Sequence, residues 1–376
     1  MSIEALRAAW RDPEAAARAH RGAGGRVVAF LCDNVPTELI SAAGAFPLRV
    51  HGRPNRLSGA RTRLVDTLYP PDVTQRPDFV GSMLDALLDG RYDIADAVIV
   101  PHNRNAVQAI HRELADARAE YGVAVPTTWY LDKAWSPFEE ARAYNRQALI
   151  DLRARLESMA GAAIDDASLE QAVNDAERAR DGLAAIAGVR NANVLCGSIA
   201  LEMMGAYWSL PASAYARLAV AAVDEIPRVP RQRLRVYLGG SPVDHPAFYA
   251  QVEKLGGNIV AEDHCWGERA ADARLSDAMA PFDALAERFH ATPACSIRFP
   301  LAATIAANRD RALRSQVDAA IFRVEARDAV QAWETPEQVS AFEAAGIPTL
   351  HLRMQPYGDE SAADECIAAF FSGLAR

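Results

Sequence analysis

The stretch RVVAFLCDNVPTELISAAGAFPLRV (26–50) decides the fold that we expect for this chain. It opens with an apolar run that is typical of a buried strand, and turn residues follow at once. Asp33 or Asn34 is placed to cap the next helix, and Pro36 suits the first turn of that helix because its missing N–H would have no partner there. A second strand pattern follows at 46–52. Strand, helix and strand joined by short loops predict a parallel sheet.

The same rhythm occurs twice along the chain. The first occurrence ends with the strand patterns ADAVIVPHN (95–103) and VAVPTTWYL (123–131). The second occurrence contains four strand patterns, which are RLRVYLGGSP (233–242), NIVAEDHCWGER (258–269), VDAAIFRVEARD (317–328) and IPTLHLRMQ (347–355). Strands that alternate with helices predict an α/β protein with two doubly wound parallel sheets.

A helical region separates the two α/β units. Amphipathic patterns rich in Ala, Leu, Arg and Glu fill it, and they contain little Gly or Pro. The segment PRVPRQR (227–233) punctuates the end of this region and is the expected boundary. We therefore divide the chain into an N-terminal α/β domain (1–135), a helical region (136–230) and a C-terminal α/β domain (231–376).

Composition and charge narrow the classes of function. The net charge is −9 and is spread along the chain, so we expect no nucleic-acid partner, because phosphate binding needs a basic face. No apolar run approaches the ~20 residues that cross a bilayer. The N-terminus reads as an exposed amphipathic helix without the features of a secretory signal. These observations predict a cytoplasmic protein with no membrane partner.

The five cysteines are widely spaced and contain no C-x-x-C pair; they are Cys32, Cys196, Cys265, Cys295 and Cys366. Neither a disulfide framework nor a self-contained zinc site fits that spacing. Reduced thiols fit it best, and most buried free cysteines act as small core residues.

The candidate ligand-binding residues lie where predicted strands end, because parallel sheets bind ligands at their carboxyl ends. Gly239, Gly240 and Ser241 follow one strand and favour either contact with an anion such as a CoA phosphate or a plain turn. The loop EDHCWGER (262–269) is dense in polar side chains, which favours a site. Its alternative reading is a helix cap with Trp266 packed underneath.

Two arginines occupy matching positions in the two α/β units. Arg104 and Arg327 each follow a strand, and each precedes a residue that could cap the next helix, Asn105 or Asp328. Such arginines usually form surface salt bridges. Their matching positions also favour the alternative that both face one ligand.

These segments resemble the family of (R)-2-hydroxyacyl-CoA dehydratase and ATP-dependent benzoyl-CoA reductase subunits. The family opens with a strand, a cysteine and the pattern vPxEli.AaGa.P, which here reads LCDNVPTELISAAGAFPLRVHG (31–52). The likeness continues through 83–101 and resumes at 233–242, 256–269 and 317–352. The resemblance implies two Rossmann-like, flavodoxin-like domains, an acyl-CoA thioester as substrate, and pairing of two related subunits in a heterodimer.

The resemblance also implies a [4Fe–4S] cluster held by three cysteines in active subunits, with an ATP-hydrolysing activator as the source of the electron. This sequence departs from the family at all three ligand positions, where Pro77 or a neighbour, Arg104–Asn105 and Arg327–Asp328 stand. Thiolates are the usual anchors of such clusters, and a permanently charged arginine would repel iron cations. We therefore expect no metal and no cofactor on this chain, and a [4Fe–4S] cluster in its partner subunit.

The leading hypothesis is a cluster-free subunit that shapes an acyl-CoA pocket. Its expected substrate-binding residues are Asp33, Asn34, Gly239, Gly240, Ser241, Cys265, Arg269, Arg104 and Arg327. Its expected acid–base residues are Glu38, Asp263 and His264. A non-catalytic acyl-CoA-binding or scaffold protein and a repurposed redox-neutral enzyme are the alternatives. The acyl group, and the choice between dehydration and ring reduction, stay open.

Overall fold

The computed structural model describes residues 1–52, 54, 76–227, 233–272, 274–276, 278–293 and 300–374. Two four-stranded sheets form its framework, and every strand pairing in them is parallel. The predicted α/β class with two Rossmann-like parallel sheets is therefore confirmed. The predicted boundary segment at 227–233 falls mainly outside the described residues, and the three-part domain division stays a prediction.

The first sheet has the order β2-β1-β3-β4. Its strands are β1 (Arg26–Phe30), β2 (Ala45–Arg49), β3 (Ala97–Pro101) and β4 (Thr127–Leu131). Val28 lies opposite Pro47 on one side and Ala97 on the other, which fixes the register of the three neighbouring strands. β1 and β3 read as nearly continuous apolar runs because helices cover both faces of a parallel sheet.

The second sheet repeats that order as β6-β5-β7-β8. Its strands are β5 (Leu234–Gly240), β6 (Gly257–Glu262), β7 (Ala319–Glu325) and β8 (Thr349–Gln355). In both sheets the first strand in sequence lies between the second and the third, so the chain reverses its direction of winding there. The crevice at such a reversal is where open parallel sheets bind ligands.

Fourteen α-helices lie in the described part of the chain. They are α1 (Ser2–Arg11), α2 (Ala15–Gly22), α3 (Thr37–Ala42), α4 (Asp78–Leu88), α5 (Asn105–Tyr121), α6 (Glu139–Ala160), α7 (Asp166–Asn191), α8 (Gly197–Gly205), α9 (Ala212–Asp224), α10 (Ala247–Lys254), α11 (Pro281–Ala291), α12 (Leu301–Arg314), α13 (Ala329–Ala344) and α14 (Asp364–Leu374). Short 3₁₀ turns occupy 206–208, 268–271 and 360–363.

The helices between 139 and 224 pack against both sheets. The largest hydrophobic cluster joins Val28 and Ile99 of the first sheet to Val236 and Ile321 of the second, with Leu183 of α7 among the helical residues between them. Apolar burial of this kind is the main favourable term in folding. The two sheets and the helical layer are thus parts of one core.

The N-terminal segment differs from the prediction of an exposed helix. It forms two helices, α1 and α2, and Leu6 and Trp10 on α1 are buried. Trp10 lies edge-on to His51 and Trp266, at ring-centroid distances of 4.6 and 5.7 Å. The amphipathic pattern was read correctly as a helix, but its apolar face is covered by the protein's own core.

The predicted caps are partly wrong. Pro36, rather than Asp33 or Asn34, occupies the N-cap position of α3, because both polar side chains are engaged in longer-range contacts. Arg104 occupies the N-cap position of α5, which begins at Asn105. Asp328 does cap α13, and its carboxylate accepts a hydrogen bond from the Gln331 N–H at 3.3 Å. No described helix is both long enough and apolar enough to cross a bilayer.

Candidate functional site

The carboxyl ends of the two sheets meet across a shared crevice. Arg269, which lies in the 3₁₀ turn after β6, donates through Nε to Asp33 after β1 at 3.2 Å. Its Nη1 donates to Asp263, also after β6, at 3.1 Å. All three side chains are nearly buried. One arginine thus joins a carboxylate from each sheet, and the predicted residues Asp33, Asp263 and Arg269 are brought together.

A small polar pocket, here called the strand-exit pocket, opens beside this arginine. Its cavity is about 60 Å³, which suits a few waters or one small polar group. Its lining comes from the loop after β1, from α7, from the turn after α8, from the 3₁₀ turn at 268–271 and from the end of α11: Asp33, Asn34, Val35, Pro36, Thr37, Arg180, Tyr207, Trp208, Arg269, Ala270, Arg288, Phe289 and Thr292.

A larger groove adjoins the strand-exit pocket and shares three of its lining residues, Arg269, Arg288 and Thr292. The cavity of this groove is about 350 Å³, and Arg274 lies along it. Guanidinium groups are good partners for phosphates and carboxylates, to which they donate in pairs. The groove also carries Asp272 and Glu287, and Arg274 pairs with Glu177 and Asp181. The pocket and groove together therefore offer a polar end and a longer approach lined by charges of both signs.

Glu38 lies buried between two arginines behind the pocket wall. Arg180 of α7 and Arg288 of α11 contact its two carboxylate oxygens at 2.5 and 2.7 Å. Burial raises the pKa of Glu38, but the charges of Arg288 and Arg180 outweigh it and hold that pKa at about 2. A carboxylate fixed in this way stays ionised near neutral pH, which does not favour proton transfer. Its acid–base role stays a prediction.

Three polar side-chain atoms of the residues that line the strand-exit pocket are buried without a hydrogen bond to any described residue. They are Oδ1 of Asp33, Nε1 of Trp208 and Nη1 of Arg288. A buried unmade hydrogen bond costs about 1–3 kcal/mol, and more for a charged group. Such atoms are normally satisfied by water or by a ligand. The pocket therefore has room for a group that can accept from Arg288 and donate to Asp33.

His264 and Cys265 point into packed surroundings. The Tyr249 hydroxyl is 2.7 Å from Nε2 of His264, and burial followed by the charge of Arg190 lowers the pKa of His264 to about 3. Nη2 of Arg49 donates to Sγ of Cys265 at 3.0 Å, and the guanidinium of Arg49 stacks 3.6 Å from the ring centre of Trp266. A neutral buried imidazole does not favour acid–base chemistry near neutral pH, and substrate contacts of both residues stay predictions.

The two glycines that end β5 are explained by packing. A Cβ at Gly239 would lie 2.5 Å from the Phe322 ring, and one at Gly240, where φ is +101°, would lie 2.2 Å from the Arg323 carbonyl oxygen. The Ser241 N–H donates to that same carbonyl oxygen at 2.8 Å. Since close strand packing already requires these residues, their predicted contact with an anion stays a prediction.

The three positions expected to hold a cluster do converge, and ion pairs occupy them. Nη1 of Arg104 donates to both carboxylate oxygens of Asp328, at 2.8 and 2.9 Å. Arg327 pairs with Asp78, the residue after Pro77. Both pairs connect the first sheet's half of the molecule to the second. Each arginine is satisfied by a carboxylate of the chain itself, and a role for either in holding substrate stays a prediction.

Further contacts close the same junction. The Phe79 N–H donates to Oε1 of Glu325 at 3.1 Å, and the Ser241 hydroxyl donates to Asp328 at 2.7 Å. Burial raises the pKa of Glu325 to about 8, against the charge of Arg323. Glu325 is therefore mainly protonated and neutral at pH 7, so this buried junction holds one carboxylate charge fewer than its sequence implies.

The residues at the junction do not fit an iron–sulfur cluster. Pro77 has no ligating atom, and Arg104 and Arg327 are permanent cations that cannot replace thiolates. The described cysteines, Cys32, Cys196, Cys265 and Cys366, form no disulfide with one another, and Cys295 lies outside the described residues. Within the described ranges, no three His, Cys, Asp or Glu side chains are grouped as metal ligands.

Sequence reasoning missed three charged residues at the site. Arg180 and Arg288 lie within helices, where charged side chains are common and give no signal. Lys133 could have been singled out from the composition, because Lys133 and Lys254 are the only lysines among the 40 basic residues. Lys133 follows β4, and its ammonium donates to the carbonyl oxygen of Thr292 in the pocket wall.

Comparison with known families identifies the chain over most of its length. Residues 32–371 match the family model described as 2-hydroxyglutaryl-CoA dehydratase, D-component. No curated protein matches the chain. The matched range begins just after β1 and contains the other seven strands. It also contains the residues of the crevice described above.

Proposed function

The chain belongs to the 2-hydroxyglutaryl-CoA dehydratase D-component family, and on that premise we propose that it is the cluster-free subunit of a 2-hydroxyacyl-CoA dehydratase-like complex. In this proposal it binds the acyl-CoA thioester, while a homologous partner subunit carries the [4Fe–4S] cluster. The ion pairs of Arg104 and Arg327 at the positions expected for thiolates carry the proposal.

The strand-exit pocket and its groove are the proposed binding site. The negatively charged phosphates of CoA would lie along the groove beside Arg274 and Arg288, and the acyl end would point toward Asp33 and Arg269. Arginines can donate two hydrogen bonds to one phosphate, which favours this direction of binding. The chain's own contribution is then to bind and orient the thioester and to exclude water from its acyl end.

The low-potential electron would come from outside the chain. We propose that an ATP-hydrolysing iron–sulfur activator delivers it to the partner's cluster, and that dehydration or a benzoyl-CoA reductase-like reduction takes place at the interface. The ion pairs at the junction, of which Arg104–Asp328 is buried and Arg327–Asp78 is partly exposed, give this chain no thiolate there with which to accept that electron.

Anaerobic purification tests the proposal. The chain is expressed alone and together with a homologous subunit that has all three cysteines, and iron and acid-labile sulfide are measured after reconstitution. We expect no stoichiometric cluster on the chain alone and one cluster for each co-purified pair. A [4Fe–4S] spectrum at one cluster per chain in the isolated protein would contradict the proposal, as would failure of the two subunits to associate.

Ligand binding to the groove is tested separately by calorimetry with acetyl-CoA and free CoA. Arg274→Gln should weaken the binding of both about tenfold, the effect of losing about 1.4 kcal/mol of a charge-assisted contact. Arg353→Gln is the matched control, because Arg353 is exposed on β8, away from the groove. Equal affinities for both variants would contradict this placement of CoA.

A repurposed redox-neutral enzyme is the second candidate, and Lys133 favours it. Burial lowers the pKa of Lys133 to about 7, and a group that titrates near the working pH is suited to acid–base catalysis. The discriminating assay is turnover of hydroxyacyl-CoA by the isolated chain without ATP, activator or reductant. Turnover under those conditions supports the redox-neutral enzyme, and turnover that requires the partner and activator supports the subunit.

A further inference from the structure

Lys133 is buried in a chain that otherwise uses arginine almost throughout. Only two of the 40 basic residues are lysines; Lys133 is 1% exposed, whereas Lys254 on α10 is exposed. Lysine can lose its proton when it is buried, and arginine cannot. A lysine at this position therefore adds a property that the neighbouring arginines of the pocket lack.

Aromatic rings and one carbonyl surround the Lys133 ammonium. The nitrogen lies 4.2 Å from the ring centre of Trp135 and 5.1 Å from that of Phe289, and it donates to the Thr292 carbonyl oxygen. Phe289 and Thr292 both line the strand-exit pocket. Lys133 is thus one layer behind the pocket wall, where a ligand would act on it through short distances and little solvent.

Three titratable or charged groups from separate elements act on this ammonium. Asp33 from the loop after β1 raises its pKa, and Arg269 from the turn after β6 lowers it. His290 of α11 is also close enough for Lys133 to lower the pKa of that imidazole. Burial is the largest influence on the pKa of Lys133, and together these influences bring it to about 7. Lys133 is therefore partly protonated near neutral pH, and any added charge nearby would change the protonated fraction.

We propose that Lys133 is a proton-exchanging positioning residue of the strand-exit pocket, and that it gains a proton when a negatively charged group, a carboxylate or a phosphate, enters the pocket. The buried Nη1 of Arg288, which forms no hydrogen bond to a described residue and lies 3.9 Å from a carboxylate oxygen of Glu177, is the contact that would hold this group. An anion near the pocket wall favours the charged form of a neighbouring lysine. The inference rests on the proposed function only in using the same pocket.

Coulomb attraction sets the expected size of the effect. A unit negative charge a few ångströms from a partly buried ammonium raises its pKa by about one unit or more when the effective dielectric constant is about 20. Near neutral pH, binding of the anion would then be accompanied by uptake of a fraction of one proton. Lys133 would carry the positive charge only while the ligand is present.

The presence of only two lysines makes a direct measurement feasible. The full chain is labelled with ¹³Cε-lysine, so that the carbon–proton correlation spectrum contains two lysine signals, and each is followed with pH. The signals are assigned with Lys254→Arg, a conservative change at an exposed position. We expect the Lys133 signal to titrate near pH 7 and the Lys254 signal near pH 10, the ordinary range for lysine.

The titration is repeated with glutarate, with inorganic phosphate and with acetyl-CoA. Glutarate or phosphate should raise the Lys133 midpoint by about one pH unit and leave the Lys254 midpoint unchanged. Arg288→Gln should abolish this rise while the protein stays folded, as judged by its thermal unfolding. The carboxylate and phosphate probes distinguish the two kinds of anion.

A free-protein midpoint above pH 9, or no upward shift with any probe at saturating concentration, would overturn the inference. A shift with glutarate or phosphate, but no binding of acetyl-CoA, would support the inference and contradict the proposed CoA site. A dissociation constant for glutarate that rises with pH above 7 in the wild type but not in Lys133→Met would also support it, because a merely structural lysine would not produce that pH profile.

Discussion

At the scale of single residues, three buried ionisable side chains have shifted pKa values because their partners differ. Glu38 faces two arginines and stays ionised down to a pKa of about 2. Glu325 is buried among fewer compensating charges, and its pKa rises to about 8. Lys133 is surrounded by aromatic rings and loses its proton near pH 7. For groups that can titrate, burial and the partners brought from distant parts of the chain decide the pH at which a proton is exchanged.

The ionised carboxylate of Glu38 should contribute to the free energy of unfolding, and this contribution should be lost in acid. Its folded pKa is lowered from 4.5 to about 2, so its contribution is present above pH 4.5 and is lost as the pH falls toward 2. Glu38→Gln should lower the thermal unfolding midpoint at pH 7 and flatten its decline between pH 5 and pH 3. Glu365→Gln, at an exposed position on α14, should change neither. An unchanged acid slope in Glu38→Gln would refute the assignment.

Glu325 should show the opposite dependence on pH. Its folded pKa is raised from 4.5 to about 8, so its contribution is complete below pH 4.5 and is lost as the pH rises through 8. Glu325→Gln imitates the protonated form and should lose less stability than the wild type between pH 7 and pH 9. Urea unfolding at pH 7 and pH 9 measures this loss in the free energy of unfolding. Glu343→Gln, at an exposed position on α13, should lose as much stability as the wild type between pH 7 and pH 9. An equally large loss in Glu325→Gln would contradict the assignment of a buried, protonated Glu325.

At the scale of secondary-structure elements, a close approach between two helices, α7 and α9, helps to hold the helical layer together. Gly182 of α7 faces Ala219 of α9, and a Cβ at Gly182 would lie 2.6 Å from the Ala219 Cβ. Gly188, on the same helix six residues later, has open space where its Cβ would be. The two glycines of α7 therefore have different reasons to be there. The first permits two helices to pack, whereas the second is exposed and does no packing.

Opposite effects are expected from alanine at these two glycines. Gly182→Ala should destabilise the protein by about 1–3 kcal/mol because it overpacks the contact with α9. Gly188→Ala should stabilise it by up to about 1 kcal/mol because alanine is the better helix former at an open position. Urea unfolding of both variants measures the difference, and each serves as the other's control. Two changes of the same sign would show that the approach of α7 to α9 is not tight.

The strands were predictable from sequence because their signals are local. Apolar runs, such as those of β1, β3, β5 and β7, and the turn residues that follow them predicted eight strands. All eight strands are present. Helices α11, α12 and α14 were not among the elements predicted from the sequence. The caps of α3 and α5 were misassigned because Asp33 and Arg104 have partners more than 200 residues away. Sequence patterns cannot show such partners.

The candidate site was predictable in part for the same reason. Asp33, Asp263 and Arg269 follow strands, and strand ends of a parallel sheet meet at one edge, so their convergence could be inferred. Arg180 and Arg288 lie in helices whose docking only the three-dimensional structure shows. The partner of Arg104 is Asp328, which precedes a helix in the other half of the chain. Gly239 and Gly240 looked like an anion loop but are the last residues of β5, where its close packing against β7 requires them.

At the scale of the whole molecule, buried charges join the two sheets at the edge where their strands end. Arg269 connects the loop after β1 to the loop after β6, and Arg104 connects the end of β3 to the start of α13. A shared hydrophobic cluster runs between the same two halves. The crevice is therefore fixed by partners from both halves, and a change at one strand end should be felt at the other.

Arg104→Gln tests this coupling. The side chains of Arg104 and Asp328 are 4% and 1% exposed, and removing one member of a buried pair costs about 3–5 kcal/mol because the other charge is left without its partner. Asp328 keeps its hydrogen bonds from Ser241 and the Gln331 N–H, so we expect a loss near the lower limit, about 3 kcal/mol. Arg353→Gln, at an exposed arginine of β8, should change stability by less than about 0.5 kcal/mol.

Hydrogen exchange of Arg104→Gln shows which segments of the protein lose stability. Because the pair spans both halves, amide exchange should accelerate in the peptides that join β3 to α5 and in those that join β7 to α13. Peptides from the packed centre of α7, far from the pair, should change only by the global loss of stability. Acceleration confined to the β3–α5 junction would mean that the second sheet does not depend on this contact, and that the two halves of the crevice are held together by the apolar core alone.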